Sequence, residues 1–135
     1  MSDSELWRFL PFGYLLTILV ETPILIALLS NRHPFRRRIV AGIWLTACTY
    51  PVVVLVLPVL LAGFSRTVYL VIAETFAPVA ECLLFWLAFR SADVELPQWL
   101  RDFGAIVAAN LASFITGEIL HAYSWLGVLN SRLVL

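Results

Sequence analysis

Six polar residues that can carry chemistry stand inside long apolar stretches of the sequence. Four are acids, one is an amide and one is an imidazole: Glu21, Glu74, Glu81, Glu118, Asn110 and His121. A carboxyl group in an apolar medium favours its neutral form, and it can exchange its proton for a cation. These residues therefore predict a site that binds or translocates protons or cations, with Glu21 and Glu81 as the central exchange sites.

A metal site is an alternative use of the same residues. Glu118 and His121 have the Glu-x-x-His spacing by which one helix face offers two metal ligands, and Glu74 can add a third ligand for a divalent cation. A complete two-metal site is not expected, because the sequence has one such pair and no acid in its second apolar stretch. A small metal-dependent membrane enzyme is therefore a weaker hypothesis than ion handling.

No positive signature of catalysis accompanies these residues. The sequence contains no nucleophile elbow, no glycine-rich phosphate loop and no paired metal-binding cysteines. Cys48 and Cys82 both lie in apolar stretches, which is typical of buried, inert cysteines. A purely structural role is the alternative, in which the glutamates are neutral acids whose hydrogen bonds hold neighbouring helices together.

The amino-acid composition indicates the class of protein that carries these residues. The chain has 135 residues, of which 61% are hydrophobic and 13% are charged, whereas soluble domains are about a quarter charged. This balance excludes an ordinary soluble fold, and it also excludes a disordered chain. The formal net charge is zero, so the basic excess that nucleic-acid binding requires is missing and no nucleic-acid partner is expected.

Four apolar runs follow one another along the chain. They cover residues 9–30, 39–61, 68–89 and 103–129, and each is longer than the roughly 20 residues that a helix needs to cross a bilayer. The links between them are short and polar, so each helix must turn back beside its predecessor. The sequence therefore predicts an all-α fold, a single transmembrane domain over residues 1–135 that forms an up-down-up-down four-helix bundle in contact with lipid.

Prolines inside these runs predict that the helices are kinked. Pro23, Pro51, Pro58 and Pro78 each remove one helical hydrogen bond and free the carbonyl four residues earlier. Freed carbonyls near the polar residues can supply additional oxygen ligands.

Arginines predict the orientation of the bundle. The links after the first and third runs hold six of the nine: Arg32, Arg36, Arg37, Arg38, Arg90 and Arg101. The opposite side holds Arg8, Arg66 and Arg132, so the positive-inside rule places both termini on the non-cytoplasmic side. The dense cluster of Arg32, Arg36, Arg37 and Arg38 is also a candidate site for anionic lipid headgroups. Trp7 and Trp125 then fall near the outer boundary, and Trp86 and Trp99 near the inner one.

Depths along ideal helices place the polar residues in two layers. Counted from the inner face, Glu21 lies about 13 Å deep, Glu81 about 12 Å and Asn110 about 10 Å. Two threonines of the second run, Thr46 and Thr49, fall about 10–15 Å deep, so every helix contributes to an inner layer. The outer layer contains the remaining three residues, which are Glu74, Glu118 and His121. Helical spacing puts the polar residues of the third and fourth runs on one face each, and the two faces are expected to meet.

Small residues recur every four positions in the fourth run, at Ala105, Ala109, Ser113 and Gly117. Such a stripe lets another helix approach closely, and that helix can belong to this chain or to a neighbouring copy. The stripe supports an alternative function, a non-catalytic accessory subunit whose docking face it forms. Four helices also cannot enclose a wide pore, which favours a homo-oligomer or association with other membrane subunits.

The polar motifs of the runs resemble those of small polytopic bacterial membrane proteins. The motifs are Glu-Thr-Pro at 21–23, Thr-Tyr-Pro at 49–51 and Asn-x-x-Ser-Phe at 110–114. The resemblance is to a broad group and implies no activity. It accords with an expected location in a bacterial inner membrane.

Overall fold

The computed structural model describes residues 3–123, and within them the chain folds into four long helices. They are α1 (Asp3–Leu28), α2 (Phe35–Leu60), α3 (Arg66–Phe89) and α4 (Leu96–Ala122). All four are long and apolar enough to cross a membrane. The predicted continuation of the fourth span to residue 129, together with Trp125 and Arg132, lies outside the described residues.

The helices form an antiparallel bundle in which each packs on two neighbours. Helix α1 packs extensively on both α2 and α4, whereas α3 packs less extensively on those same two helices. The predicted up-down-up-down four-helix bundle is confirmed. One end of the bundle carries the α1–α2 and α3–α4 links with most of the arginines, and we call it the arginine end. The end with the α2–α3 link is the opposite end.

Helix α4 begins earlier than the apolar run predicts, at Leu96 rather than residue 103. Glu95 caps the helix, and its side chain and that of Gln98 form a reciprocal capping box with each other's backbone N–H groups. Pro97 in the first turn suits a position where no helical hydrogen bond is lost. The link after α3 is therefore shorter than the predicted 90–102, and Asp102 is part of a helix.

Proline changes the course of α2. The regular α-helix Phe35–Pro51 gives way to a π-helical segment, Val52–Val56, before a last α-helical turn, Leu57–Leu60. A π-helical turn inserts an extra residue and redirects the carbonyl groups around it. The Tyr69 hydroxyl of α3 donates to one of these carbonyls, that of Val53, over 2.9 Å. The π-helical segment thus provides an acceptor that joins α2 to α3.

The small-residue stripe of α4 is used inside this chain. Ala105 and Ala109 are buried in the same apolar cluster as Leu25 and Leu29 of α1, and Ser113 donates a hydrogen bond to Glu21 of that helix. For these three residues, the helix that packs on the stripe is α1 of the same chain. Three of the four residues of the stripe are therefore occupied within this chain.

An apolar core occupies the half of the bundle nearer the arginine end. Its largest fully buried side chains are Phe85, Leu25, Leu29, Leu45 and Ile106. Long apolar side chains elsewhere, such as Leu19 and Val59, are mostly exposed, as expected where helices face lipid.

Candidate functional site

Glu81 of α3 lies in the middle of the bundle, where it is 3% exposed. One carboxyl oxygen, Oε1, lies 2.7 Å from the Thr49 hydroxyl of α2. The other, Oε2, accepts a hydrogen bond of 2.8 Å from the Asn110 amide of α4. Three helices therefore converge on one carboxyl group.

Glu21 of α1 has an equivalent setting and is also 3% exposed. Its Oε2 lies 2.9 Å from the Thr46 hydroxyl of α2, and its Oε1 lies 2.7 Å from the Ser113 hydroxyl of α4. Neither Glu21 nor Glu81 forms an ion pair with any residue between 3 and 123. The structure thus brings together the five predicted inner-layer residues and adds Ser113, which the sequence analysis assigned only to the small-residue stripe.

The hydroxyl groups of this layer fit carboxyl groups that carry a proton. The Thr49 hydroxyl lies within 3.1 Å of the Leu45 carbonyl as well as near Glu81. A hydroxyl has one proton to donate but two lone pairs with which to accept. If Thr49 donates to its own helix, its oxygen can accept the proton of a neutral Glu81, whose second oxygen accepts from Asn110. Every polar atom in this chain of hydrogen bonds then has a partner.

A cavity of about 420 Å³ begins at this layer and runs towards the opposite end. Its walls contain all four intramembrane glutamates together with the aromatic rings of Tyr50, Tyr69 and Phe114. Arg66, Glu118 and His121 also line the cavity, and all three lie towards the opposite end. Between Glu21 and Glu81 and the arginine end, the bundle is filled by the apolar core. The cavity therefore does not continue to the arginine end.

The predicted outer-layer residues all line this cavity, but they do not form one cluster. Glu118 accepts a 2.8 Å hydrogen bond from Arg66 in an exposed ion pair. Glu74 is half-buried and makes no hydrogen bond or ion pair with the described residues, and His121 is exposed. No group of three His, Cys, Asp or Glu side chains in the described part of the chain is placed to hold a metal ion. Among the described residues the metal-site candidates Glu74, Glu118 and His121 form no such group, and Glu118 is paired with Arg66.

A second acidic centre lies at the arginine end, around Asp102. Its carboxyl group is fully buried and accepts a 2.7 Å hydrogen bond from the Ser30 backbone N–H. The Ser30 hydroxyl, Arg32 Nε and His33 Nε2 all lie within 3.1 Å of Asp102 Oδ2. The Arg32 guanidinium also donates to the Phe89 carbonyl at the end of α3. Asp102 therefore ties the α1–α2 link to α3 and α4, and we call this group of residues the Asp102 clasp.

The arginines proposed to bind lipid headgroups separate into two kinds. Arg32 belongs to the Asp102 clasp, and Arg38 donates to the carbonyls of His33, Ser30 and Ile26. Both side chains satisfy backbone groups of the protein, as cations near helix C-termini often do. Arg36 and Arg37 are exposed, so these two are the members of the cluster that can meet headgroups.

Sequence reasoning missed the Asp102 clasp because it placed Asp102 in a link. The signal that could have revealed it is the Glu-Leu-Pro-Gln sequence at 95–98, a capping box with proline in the first turn. A helix that begins there places Asp102 on the same face as Ala105, Ala109 and Asn110. Ser113 could have been found in the same way, since it follows Asn110 by three residues.

Comparison with known protein families, with curated proteins and with solved structures finds no match to this chain.

Proposed function

We propose that this chain is a small integral membrane protein that exchanges protons for cations at Glu21 and Glu81 and thereby takes part in their translocation. The observation that carries the proposal is the setting of these two acids. Each is 3% exposed, hydrogen-bonded to two neutral groups and without a cationic partner among residues 3–123, at the end of a cavity.

The cost of a buried charge explains why such acids suit exchange. A carboxylate inside a membrane costs about 2.5–3.5 kcal/mol on insertion scales, and more where it lacks a partner. Glu21 and Glu81 avoid this cost when they hold a proton, and a cation that enters the cavity avoids it by replacing that proton. Competition between proton and cation for the same two groups couples their binding.

The outer residues act as the mouth of the site in this proposal. Glu74 and Glu118 make the cavity attractive to positive charge, while Arg66 offsets one of them through its ion pair. When the ion pair between Arg66 and Glu118 opens, the Glu118 carboxylate is free to attract a cation into the mouth of the cavity.

Transport across the whole membrane needs more than this cavity, because the apolar core closes the cavity towards the arginine end. We propose that the chain works as a homo-oligomer or with other membrane subunits, in a bacterial inner membrane with both termini non-cytoplasmic. Six arginines at the arginine end, on the α1–α2 and α3–α4 links and near the N-termini of α2 and α4, support that orientation. Crosslinking in native membranes followed by mass analysis tests the association, and a solitary species would contradict it.

A flux measurement tests the exchange. The purified protein is reconstituted in liposomes that contain a pH-sensitive dye, and a gradient of potassium, sodium or an organic cation is imposed. We expect proton movement above that of protein-free liposomes and its loss in Glu21→Gln and Glu81→Gln. Asp93→Asn, a change in the exposed α3–α4 link, is the matched control and should retain flux. Equal flux in both glutamine variants and in the unaltered protein would refute the role of the two acids.

A further inference from the structure

The cavity is too large and too apolar for a bare ion, and its walls indicate what it holds. A volume of about 420 Å³ falls within the range of about 300–1,000 Å³ that is typical of small-molecule pockets. A metal ion instead needs several oxygen or nitrogen ligands converging within about 2.0–2.6 Å, and the described residues form no such group.

The two kinds of wall residue match the two parts of an amphipathic cation. Apolar side chains such as Val53 and Leu70, with the rings of Tyr50, Tyr69 and Phe114, line the cavity. Aromatic rings attract cations through their faces, and apolar walls accommodate a hydrocarbon body. Among the described residues, four carboxyl groups and one arginine line the cavity. A cation can replace a carboxyl proton there, whereas the one arginine is already paired with Glu118 and is not free to bind an anion.

A second depression on the protein surface shows where such a ligand enters. This lateral groove lies between α3 and α4 and is lined by Glu74, Thr75, Pro78, Val79, Cys82 and Val107. Val79 and Val107 are exposed in the middle of the apolar spans, so the groove faces lipid. Glu74 lines both the groove and the central cavity, so this residue is common to the two spaces.

The packing of α3 supports entry at this place. Helix α3 contacts α2 and α4 less extensively than α1 does, so the seams on either side of α3 are the least tightly closed in the bundle. Elements with few packed contacts open at the lowest free energy.

We infer that the cavity binds a lipophilic organic cation, which reaches it from the bilayer through the α3–α4 seam beside Glu74. This inference rests on the proposed proton exchange and specifies its substrate class. An ammonium or phosphonium group takes the place of one proton on a glutamate, the proton leaves to water, and the apolar body lies against the aromatic wall. The bonds that change are the carboxyl O–H bond, which breaks, and the O–H bond that the released proton forms with water.

Proton release on binding tests the ligand class. The purified protein in lipid nanodiscs and weak buffer is titrated with tetraphenylphosphonium, with choline and with potassium, and released protons are followed with a pH indicator. We expect tetraphenylphosphonium to bind at least about tenfold more tightly than choline, since choline lacks the apolar body. Proton release should disappear in Glu81→Gln and in empty nanodiscs, and it should persist in Asp93→Asn.

The outcomes separate this inference from the proposed function. Release by potassium but not by tetraphenylphosphonium overturns the ligand class and leaves proton exchange standing. Release by no cation overturns both. Release by tetraphenylphosphonium without flux in liposomes supports the ligand class and overturns transport.

A pair of tryptophan variants tests the lateral route. Val107→Trp narrows the groove, whereas Leu111→Trp adds the same bulk one turn further along the lipid-facing surface of α4, outside both spaces. We expect the association rate of tetraphenylphosphonium to fall several-fold in Val107→Trp and to remain unchanged in Leu111→Trp. Equal rates in the two variants overturn entry through this seam, and retained proton release on binding in both shows that they are folded.

Discussion

Acidic side chains are buried at two places in the protein, and the two places differ in whether a cation lies beside the carboxyl group. At the arginine end, Asp102 is surrounded by a guanidinium, an imidazole, a backbone N–H and a hydroxyl. In the middle of the bundle, Glu21 and Glu81 have hydroxyl and amide neighbours but no cationic partner in the part of the chain that the structure describes. The first arrangement stabilises a carboxylate, whereas the second accommodates a carboxylic acid.

The difference shows that burial alone does not make an acid functional. The carboxyl group of Asp102 is fully enclosed by the protein. Glu21 and Glu81 lie beside a cavity in which a cation can replace a proton. A buried acid is suited to exchange only where its charge is uncompensated and its ligand has space.

The largest expected effect on stability comes from breaking the clasp with Asp102→Asn. The variant keeps the size of the side chain but leaves the partly buried Arg32, whose side chain is 15% exposed, without its counter-charge. Removal of one partner of a buried ion pair costs about 3–5 kcal/mol, and the partial exposure of Arg32 places the expected loss near the lower end of that range. We expect a large drop in the thermal unfolding midpoint in detergent, measured by circular dichroism. The matched control is the exposed Asp93→Asn. If the two variants unfold at the same temperature, the clasp does not stabilise the bundle.

A smaller but clear effect is expected from Gly42→Ala, which disturbs the approach of α1 to α2. A methyl group at this position would collide with the Cα, Cβ and hydroxyl atoms of Thr22, and overpacking of this kind costs about 1–3 kcal/mol. Gly42 lies one turn from Thr46, so the variant should also weaken the contact of Thr46 with Glu21. Gly104→Ala is the control, because a methyl group there meets open space. Similar midpoints for both glycine variants would contradict the close approach.

Glu81→Gln sharpens the comparison between the two acidic centres. A glutamine amide can accept from Asn110 and donate to Thr49 much as a protonated glutamate does, so we expect a loss of under about 1 kcal/mol. Thermal unfolding should therefore distinguish Glu81→Gln sharply from Asp102→Asn, even though both changes replace an acid by its amide. A loss as large as that of Asp102→Asn would mean that Glu81 carries a charge in the resting protein.

The smallest expected effect on stability comes from Arg66→Gln at the mouth of the cavity. The side chains of Arg66 and Glu118 are 57% and 37% exposed, and an exposed ion pair contributes only about 0–1 kcal/mol. The unfolding midpoint should hardly change, and the small difference should vanish at high salt because mobile ions screen exposed charges. A double-mutant cycle with Glu118→Gln measures the pair directly, and a coupling energy comparable with the loss in Asp102→Asn would contradict this view.

Much of the fold could be predicted because a membrane imposes simple requirements on a sequence. A run of about 20 apolar residues must form a helix, since every backbone polar group needs a partner inside the span. Short links then force neighbouring helices to be antiparallel. Helix ends were harder to predict: the apolar run placed the start of α4 at residue 103, but the capping box at Glu95 and Gln98 starts it at Leu96.

The inner layer could also be predicted in large part. Depth and helical spacing grouped Glu21, Glu81 and Asn110 with the threonines of α2, and the hydrogen bonds connect these same residues. The outer layer could not be predicted in the same way. Spacing suggested that Glu118 acts with His121, but Arg66 of another helix reaches the carboxyl group, and a contact between distant segments leaves no periodic signal.

By itself, the sequence determined that this protein crosses the membrane with four helices and carries acids within them, because hydrophobicity and helical period are local properties of a chain. The tertiary structure decided which acids are neutralised by cations and which are left beside a cavity. It did so because charge compensation depends on distances between helices, and those distances are set by packing of the whole bundle. Asp102 and Glu81 are both acids in a membrane protein, and only the folded chain gives them different chemistry.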